Sequence, residues 1–147
     1  MPAYSTIVVG TDGSDTSMRA VERAGALAAD SGATLVLVCA YLPDGDHRRD
    51  QDALGEEAYQ VVGSAPADGI LQRAEDHAVR AGARNLQKLA LREAPVKALR
   101  KAVKDTSADL LVVGNVGLNS LSGRLFGSVP SDVARGVDVD VLIVHTS

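Results

Sequence analysis

One cysteine, one phenylalanine and no tryptophan occur in 147 residues. With Cys39 alone no disulfide can form within a chain, and its place inside the apolar run ATLVLVCAY marks it as a small buried hydrophobe rather than a redox group. Only 3% of residues are aromatic, so the 46% that are hydrophobic must fill a core with Val, Leu, Ile and Ala, which suits stacked α/β layers. No apolar run approaches the roughly 18 residues that would span a bilayer. MPAYSTIVVG lacks the charged segment and long apolar stretch of an export signal. A cytoplasmic protein with no membrane partner is expected. Positive charge is not in excess either: 15 Lys and Arg face 19 Asp and Glu, and no basic stripe could track a phosphate backbone, so nucleic acid is not an expected partner. His47, His77 and His145 show no metal-ligand spacing. Two nucleotide fingerprints are missing as well, the GxGxxG turn and the GxxxxGK[ST] loop with its lysine.

What remains is a regular alternation. A chain of this length fills one core but hardly two, so a single domain over 1–147 is expected. TIVVG reads as a first strand ending at Gly10. Ser14 to Asp30 carries Met18, Val21, Ala24 and Ala28 on one helical face, with Ser14 as N-cap and Gly32 as left-handed stop. ATLVLVCAY is a second strand, apolar throughout as when both faces are covered. A polar excursion from Pro43 to Ala65 follows, with a short helix near Ala53–Tyr59. Ile70, Leu71, Ala74, Ala78 and Ala81 mark the second main helix, closed by Gly82. NLQKLAL is a polar, edge-like third strand, Pro95 opens a third helix through Val96, Leu99 and Val103, and ADLLVVG is the fourth strand. A short helix over Val129–Arg135 and a fifth strand, VDVLIVH, complete the chain.

Strands alternating with helices predict an α/β fold, an open parallel five-stranded sheet of Rossmann-like or flavodoxin-like type in the order 3-2-1-4-5. In that order the switch point lies between strands one and four, where ligands of open α/β sheets bind. Two glycine-rich turns, GTDGS and GNVG, emerge there together. The second opens the stretch GNVGLNSLSGRLFGSVP, in which Gly114, Gly117, Gly127 and Ser128 form G-x2-G-x9-G-S. Glycines permit left-handed backbone and close approach, and amides of Ser128 and Val129 at a helix start favour an anion such as phosphate. The glycines alone fit a plain turn as well as a phosphate cradle; their place after a strand adds weight to the second. Asp12 can accept from a sugar hydroxyl or an adenine amino group, or merely brace its own turn. The main chain of Ala40 and Tyr41, leaving strand two, can read the edge of a base.

VVGTDGSDTSMRAVERA, ADLLVVGNVG and GRLFGSVPSDVA together resemble the universal stress protein family, and the element order covers essentially the whole chain. The resemblance implies an adenine nucleotide, since G-x2-G-x9-G-[ST] distinguishes the members that bind ATP or a related ligand. It places Asp12 on the nucleoside, Ala40 on adenine, Gly114 and Gly117 near ribose and phosphate, and Gly127, Ser128 and Val129 on phosphates. The nucleotide-binding set expected from placement and resemblance is Gly10, Thr11, Asp12, Ala40, Gly114, Val116, Gly117, Gly127, Ser128 and Val129. The family also implies a cytoplasmic homodimer, often paired through fifth strands, and VLIV is too apolar for an exposed edge.

Three departures modify these expectations. Val116 stands where members often carry His or Arg, which removes a cation beside the phosphates; Arg124 either replaces it or is a solvated surface arginine. AMP or cyclic AMP is therefore expected to compete well with ATP, and magnesium to enter only through the phosphates. Glu93 replaces a glycine before Pro95, and Asp140 replaces a proline of the fifth strand. No catalytic residue or metal ligand is expected, because no acid–base or nucleophile–base pair can be placed at the site, and a weak ATPase is the most that enzymatic activity would amount to. A nucleotide-binding regulator or buffer in the stress response is the expected function. The alternative is a nucleotide-independent dimeric stress module whose glycine loop is structural.

Overall fold

The alternation becomes five parallel strands in the order β3-β2-β1-β4-β5, as expected. The computed structural model describes residues 3–43, 61–115 and 136–146. Within them run β1 (Thr6–Gly10), α1 (Asp15–Ser31), β2 (Thr34–Ala40), α2 (Ser64–Arg80), β3 (Asn85–Leu91), α3 (Pro95–Thr106), β4 (Leu110–Gly114) and β5 (Asp140–Val144). The short helices expected at 53–59 and 129–135 lie outside the described residues.

Two apolar layers sandwich the sheet. Successive strand residues point to opposite faces, so Ile7, Val9, Leu35, Leu37 and Cys39 pack against Met18, Val21 and Ala24 of α1 and Leu71, Ala74 and Ala78 of α2. On the other face Val8, Val36, Val38, Leu111 and Val113 meet Ala98, Leu99, Ala102 and Val103 of α3. Cover on both sides is the reason β1, β2 and β4 are apolar throughout. β3 carries exposed Asn85, Gln87 and Lys88, as suits an edge.

The helix ends follow from their residues. The Ser14 hydroxyl accepts from Ser17 N at 3.2 Å, and Gly32 at φ 67° closes α1. Pro95 occupies the first turn of α3. That helix ends on Ser107 at φ 54°, a left-handed non-glycine that its sequence does not announce. The polar excursion is pinched at its base, where Leu42 N donates to Val61 O and Gly63 N to Leu42 O, both at 2.8 Å. α2 starts at Ser64, just inside the boundary expected at Ala65. No helix among the described residues is long and apolar enough to cross a membrane.

Candidate nucleotide crevice

The ladder between β1 and β4 stops at Val9↔Val112, although β1 runs on to Gly10 beside Val38 and β4 to Gly114 beside Val144. The central strands therefore part at their carboxyl ends. This is the switch point, and three chain segments leave around it.

The first segment, Thr11 to Ser14, is knotted by its own short side chains. Thr11 is 2% exposed, and its hydroxyl accepts from Gly13 N at 3.1 Å and lies 2.7 Å from Ser17 Oγ. Ser17 Oγ donates to Ser14 O at 2.9 Å, so the Thr11 hydroxyl is the donor to Ser17. That hydroxyl both donates and accepts within the turn. Asp12 Oδ1 accepts from Ser14 N at 2.9 Å, so the carboxylate does brace its turn, while Oδ2 has no partner among the described residues. Gly13 sits at φ 89°, where a side chain would be strained. A Cβ there would also stand 2.9 Å from Ile70 Cγ1 and 3.0 Å from Arg73 Nη2, so α2 presses on this turn.

The second segment is the end of β2. Residues of a parallel ladder send their polar groups alternately to one neighbour and the other. Val38 O accepts from Thr11 N on the β1 side, and Tyr41 N donates to Leu91 O on the β3 side, each at 2.9 Å. Ala40, two beyond Val38, thus aims its N–H and C=O past Gly10, where β1 has already turned away. Among the described residues these groups have no main-chain partner, and only Cys39 Sγ lies near the oxygen, at 3.8 Å. Beside them is a small recess walled by Gly10, Val38, Pro95, Ala98 and Leu99. A Cβ on Gly10 would fall 2.9 Å from Leu99 Cδ2 and crowd that recess. Cys39 faces the opposite layer; burial pushes its thiol up to about 12, and the negative charges of Asp12 and Asp68 add to the shift.

The third segment is the exit from β4. Gly114 is an ordinary buried strand residue, and its backbone is not left-handed. The packing there is close: a Cβ would lie 3.3 Å from Thr146 Cγ2, so that methyl would have to shift by a few tenths of an ångström, and an ordinary 3.8 Å from Ala20 Cβ. Asn115 N donates to Val144 O at 2.8 Å, and its side-chain oxygen accepts from Thr146 N at 2.7 Å and Thr146 Oγ1 at 3.1 Å.

The sequence model of the universal stress protein family matches residues 3–145. This chain belongs to the universal stress protein family. It is 52% identical to universal stress protein Rv1636 of Mycobacterium tuberculosis over 147 residues, all of both chains. The crystal structure of Rv1636 superposes with a TM-score of 0.63 at 47% identity, covering 100% of this chain and 99% of that one. A universal stress protein solved in complex with cAMP gives a TM-score of 0.77 at 48% identity, with 99% of each chain covered.

In this universal stress protein Gly10, Thr11, Asp12, Ala40 and Gly114 gather around the parted strand ends, while Val116, Gly117, Arg124, Gly127, Ser128 and Val129 lie outside the described residues. Arg73 was not among the expected site residues. Its signal is its spacing: it follows Ile70 by one helical turn and so shares the flank of α2 that meets Gly13. Thr146 was missed because nothing local ties a residue near the chain end to Asn115. No cluster of metal-ligating side chains occurs among the described residues.

Proposed function

We propose that this chain is a single-domain, adenine-nucleotide-binding universal stress protein that acts as a regulator or nucleotide buffer in stress response. The observation that carries the reading is the main chain of Ala40, which has no main-chain partner among the described residues. Its N–H donor and C=O acceptor stand side by side next to an apolar recess. Adenine presents the complement, N1 as acceptor and the 6-amino group as donor, on a flat apolar ring. The likeness to a universal stress protein solved with cAMP supports the same ligand class.

In this reading Gly10 and Ala40 seat the base and Asp12 Oδ2 meets the ribose. Gly114, Val116 and Gly117 follow the sugar and phosphate, and Gly127, Ser128 and Val129 hold phosphate oxygens. Asp12, Asp15 and Asp68 stand near the β1 exit, which favours one phosphate charge over the several of ATP, so cyclic AMP and AMP compete well with ATP. Magnesium is bound only through a triphosphate. The protein works in the cytoplasm as a homodimer paired through β5, whose Ile143 is 48% exposed on the sheet edge.

Calorimetric titration of nucleotide-stripped protein with cyclic AMP and cyclic IMP tests the reading without mutation. Hypoxanthine inverts the donor and acceptor at positions 1 and 6, so cyclic IMP is expected to bind roughly 10- to 100-fold more weakly, the effect of two mispaired hydrogen bonds. Equal affinities would show that Ala40 does not read the base. Absence of binding by cyclic AMP, AMP and ATP alike would favour the nucleotide-independent module.

A further inference from the structure

We infer that Leu99, seated over Gly10, sets the depth of the base recess and so restricts the site to adenine with an unsubstituted ring edge. The inference rests on the nucleotide-binding reading and adds to it a specificity-determining residue from α3.

Strand alternation fixes which way position 10 faces. Ile7 and Val9 point into the layer of α1 and α2 and Val8 into that of α3, so position 10 faces α3 as well. A glycine there brings no side chain to meet that helix. Leu99 takes up the room: its Cδ2, Cδ1 and Cγ lie 2.9, 3.6 and 3.7 Å from the point where a Cβ would stand. The Gly10 backbone is not left-handed, so alanine could adopt it without strain. What position 10 lacks is space, and Leu99 is the reason.

Leu99 is itself held on the helix side. Pro95 in the first turn of α3 fixes where the helix begins, and Leu99 follows it by one turn on the same face. It is buried in one apolar layer with Val8, Val36, Ala102 and Val103. Its remaining side borders the recess, whose wall it shares with Gly10, Val38, Ala40, Pro95 and Ala98. A close-packed layer has little slack. A group added at position 10 therefore drives Leu99 into the recess, and truncating Leu99 deepens it. Ala40 opens onto the same recess with its N–H and C=O. A base that meets them with N1 and the 6-amino group carries position 2 and the amino nitrogen at the flanks of that edge. Bulk added at either point must share the space that Leu99 closes.

The test titrates wild type, Gly10→Ala, Leu99→Ala and the double variant with three ligands, each at a temperature where circular dichroism shows the protein folded. The ligands are cyclic AMP, its 2-chloro analogue and the analogue with a benzyl group on the 6-amino nitrogen. Wild type should bind both analogues roughly 5- to 100-fold more weakly than cyclic AMP, the effect of unrelieved overpacking. Gly10→Ala should weaken cyclic AMP itself over the same rough range, because its methyl displaces Leu99. Leu99→Ala should cut the penalty on at least one analogue by roughly 10-fold, and combined with Gly10→Ala it should restore most of the affinity for cyclic AMP. Leu99→Ala also empties a core position; Gly10→Ala removes nothing, and it decides the matter if the truncated variants do not fold. The proposal is overturned, and the nucleotide reading left standing, by any of three results: analogues bound by wild type as tightly as cyclic AMP, unchanged cyclic AMP affinity in Gly10→Ala, or analogue penalties in Leu99→Ala equal to those of wild type. Failure of wild type to bind cyclic AMP, AMP and ATP alike would overturn both.

Discussion

The exits from β1 and β4 stand on either side of one crevice, yet they are built by opposite means. At the β1 exit the side-chain hydrogen bonds join residues at most six apart, among Thr11, Asp12, Gly13, Ser14 and Ser17. At the β4 exit the decisive bonds span 31 residues from Asn115 to Thr146 and 127 from Arg19 to Thr146. One turn is tied by residues close in sequence; the other is tied to residues far along the chain. The β1 exit is a preformed wall held locally, whereas the β4 exit depends on β5 and the residues that follow it.

The sharpest way to break this contrast is to strain the self-built turn. Gly13→Val would force a β-branched residue to φ 89° and push its side chain against Ile70 and Arg73. A loss of about 3 kcal/mol in urea unfolding is expected. A loss below about 1 kcal/mol would mean that the turn relaxes easily and is not preformed.

A matched pair then compares the exits under one chemical change. Thr11→Val removes a hydroxyl that serves both Ser17 Oγ and Gly13 N, and leaves buried partners unsatisfied, at about 2 kcal/mol. Thr146→Val removes one of two donors to Asn115 Oδ1, which keeps the Thr146 N–H, so about 1 kcal/mol is expected. The larger stability loss should fall at position 11. If position 146 proves the costlier in unfolding experiments, the tail is the stronger brace and the contrast is reversed.

The same contrast explains what could be read from sequence. The strand order, the Ser14 cap, the Gly32 stop and Pro95 at a helix start all depend on residues close in sequence or on periodicity, and all are legible. Asp12 bracing its turn was visible in TDGS for the same reason. Gly114 was legible as a glycine but not in its packing, because the methyl closest to it belongs to Thr146. Ser107 in a left-handed conformation and Arg73 against Gly13 were hidden likewise, the first lacking a glycine to announce it and the second set by helix packing. Ala40 occupies a middle position. Its place at a strand end was plain, but its unpaired N–H and C=O became derivable only with the register of β2 against both neighbours.

Arg73 allows a finer comparison, because it is the non-local element at the β1 exit. It makes no ion pair among the described residues, and it lies over a turn beside Asp12. Removing its charge takes a cation away from the turn that carries Asp12. Arg73→Ala should weaken AMP and cyclic AMP by roughly 3- to 5-fold, within the range of an exposed charge, and the effect should shrink at high salt. Adenosine, which has no phosphate, should bind the variant as it binds wild type. An equal loss for adenosine would assign Arg73 to the base or ribose instead.

The smallest effect is expected at Cys39, under the β2 end that separates the exits. Its thiol is raised from the ordinary value of 9.0 to about 12, chiefly by burial and secondarily by Asp12 and Asp68. Below about pH 9 the thiol is protonated whether the chain is folded or not, and the shift has no effect on stability. As pH rises from 9.0 towards about 12 the unfolded thiol ionises while the folded one stays protonated, so the stability this site contributes drains away over that window. Cys39→Ala should flatten this part of the alkaline unfolding profile while leaving the shape of the neutral part alone, apart from a uniform offset for the lost sulfur. Native Cys39 should also resist iodoacetamide at about pH 8, since the thiolate is the attacking species and is nearly absent there. Rapid alkylation with the fold intact would show instead that the β2 end opens to solvent, and Ala40 would then belong to a mobile wall rather than to the preformed side of the crevice.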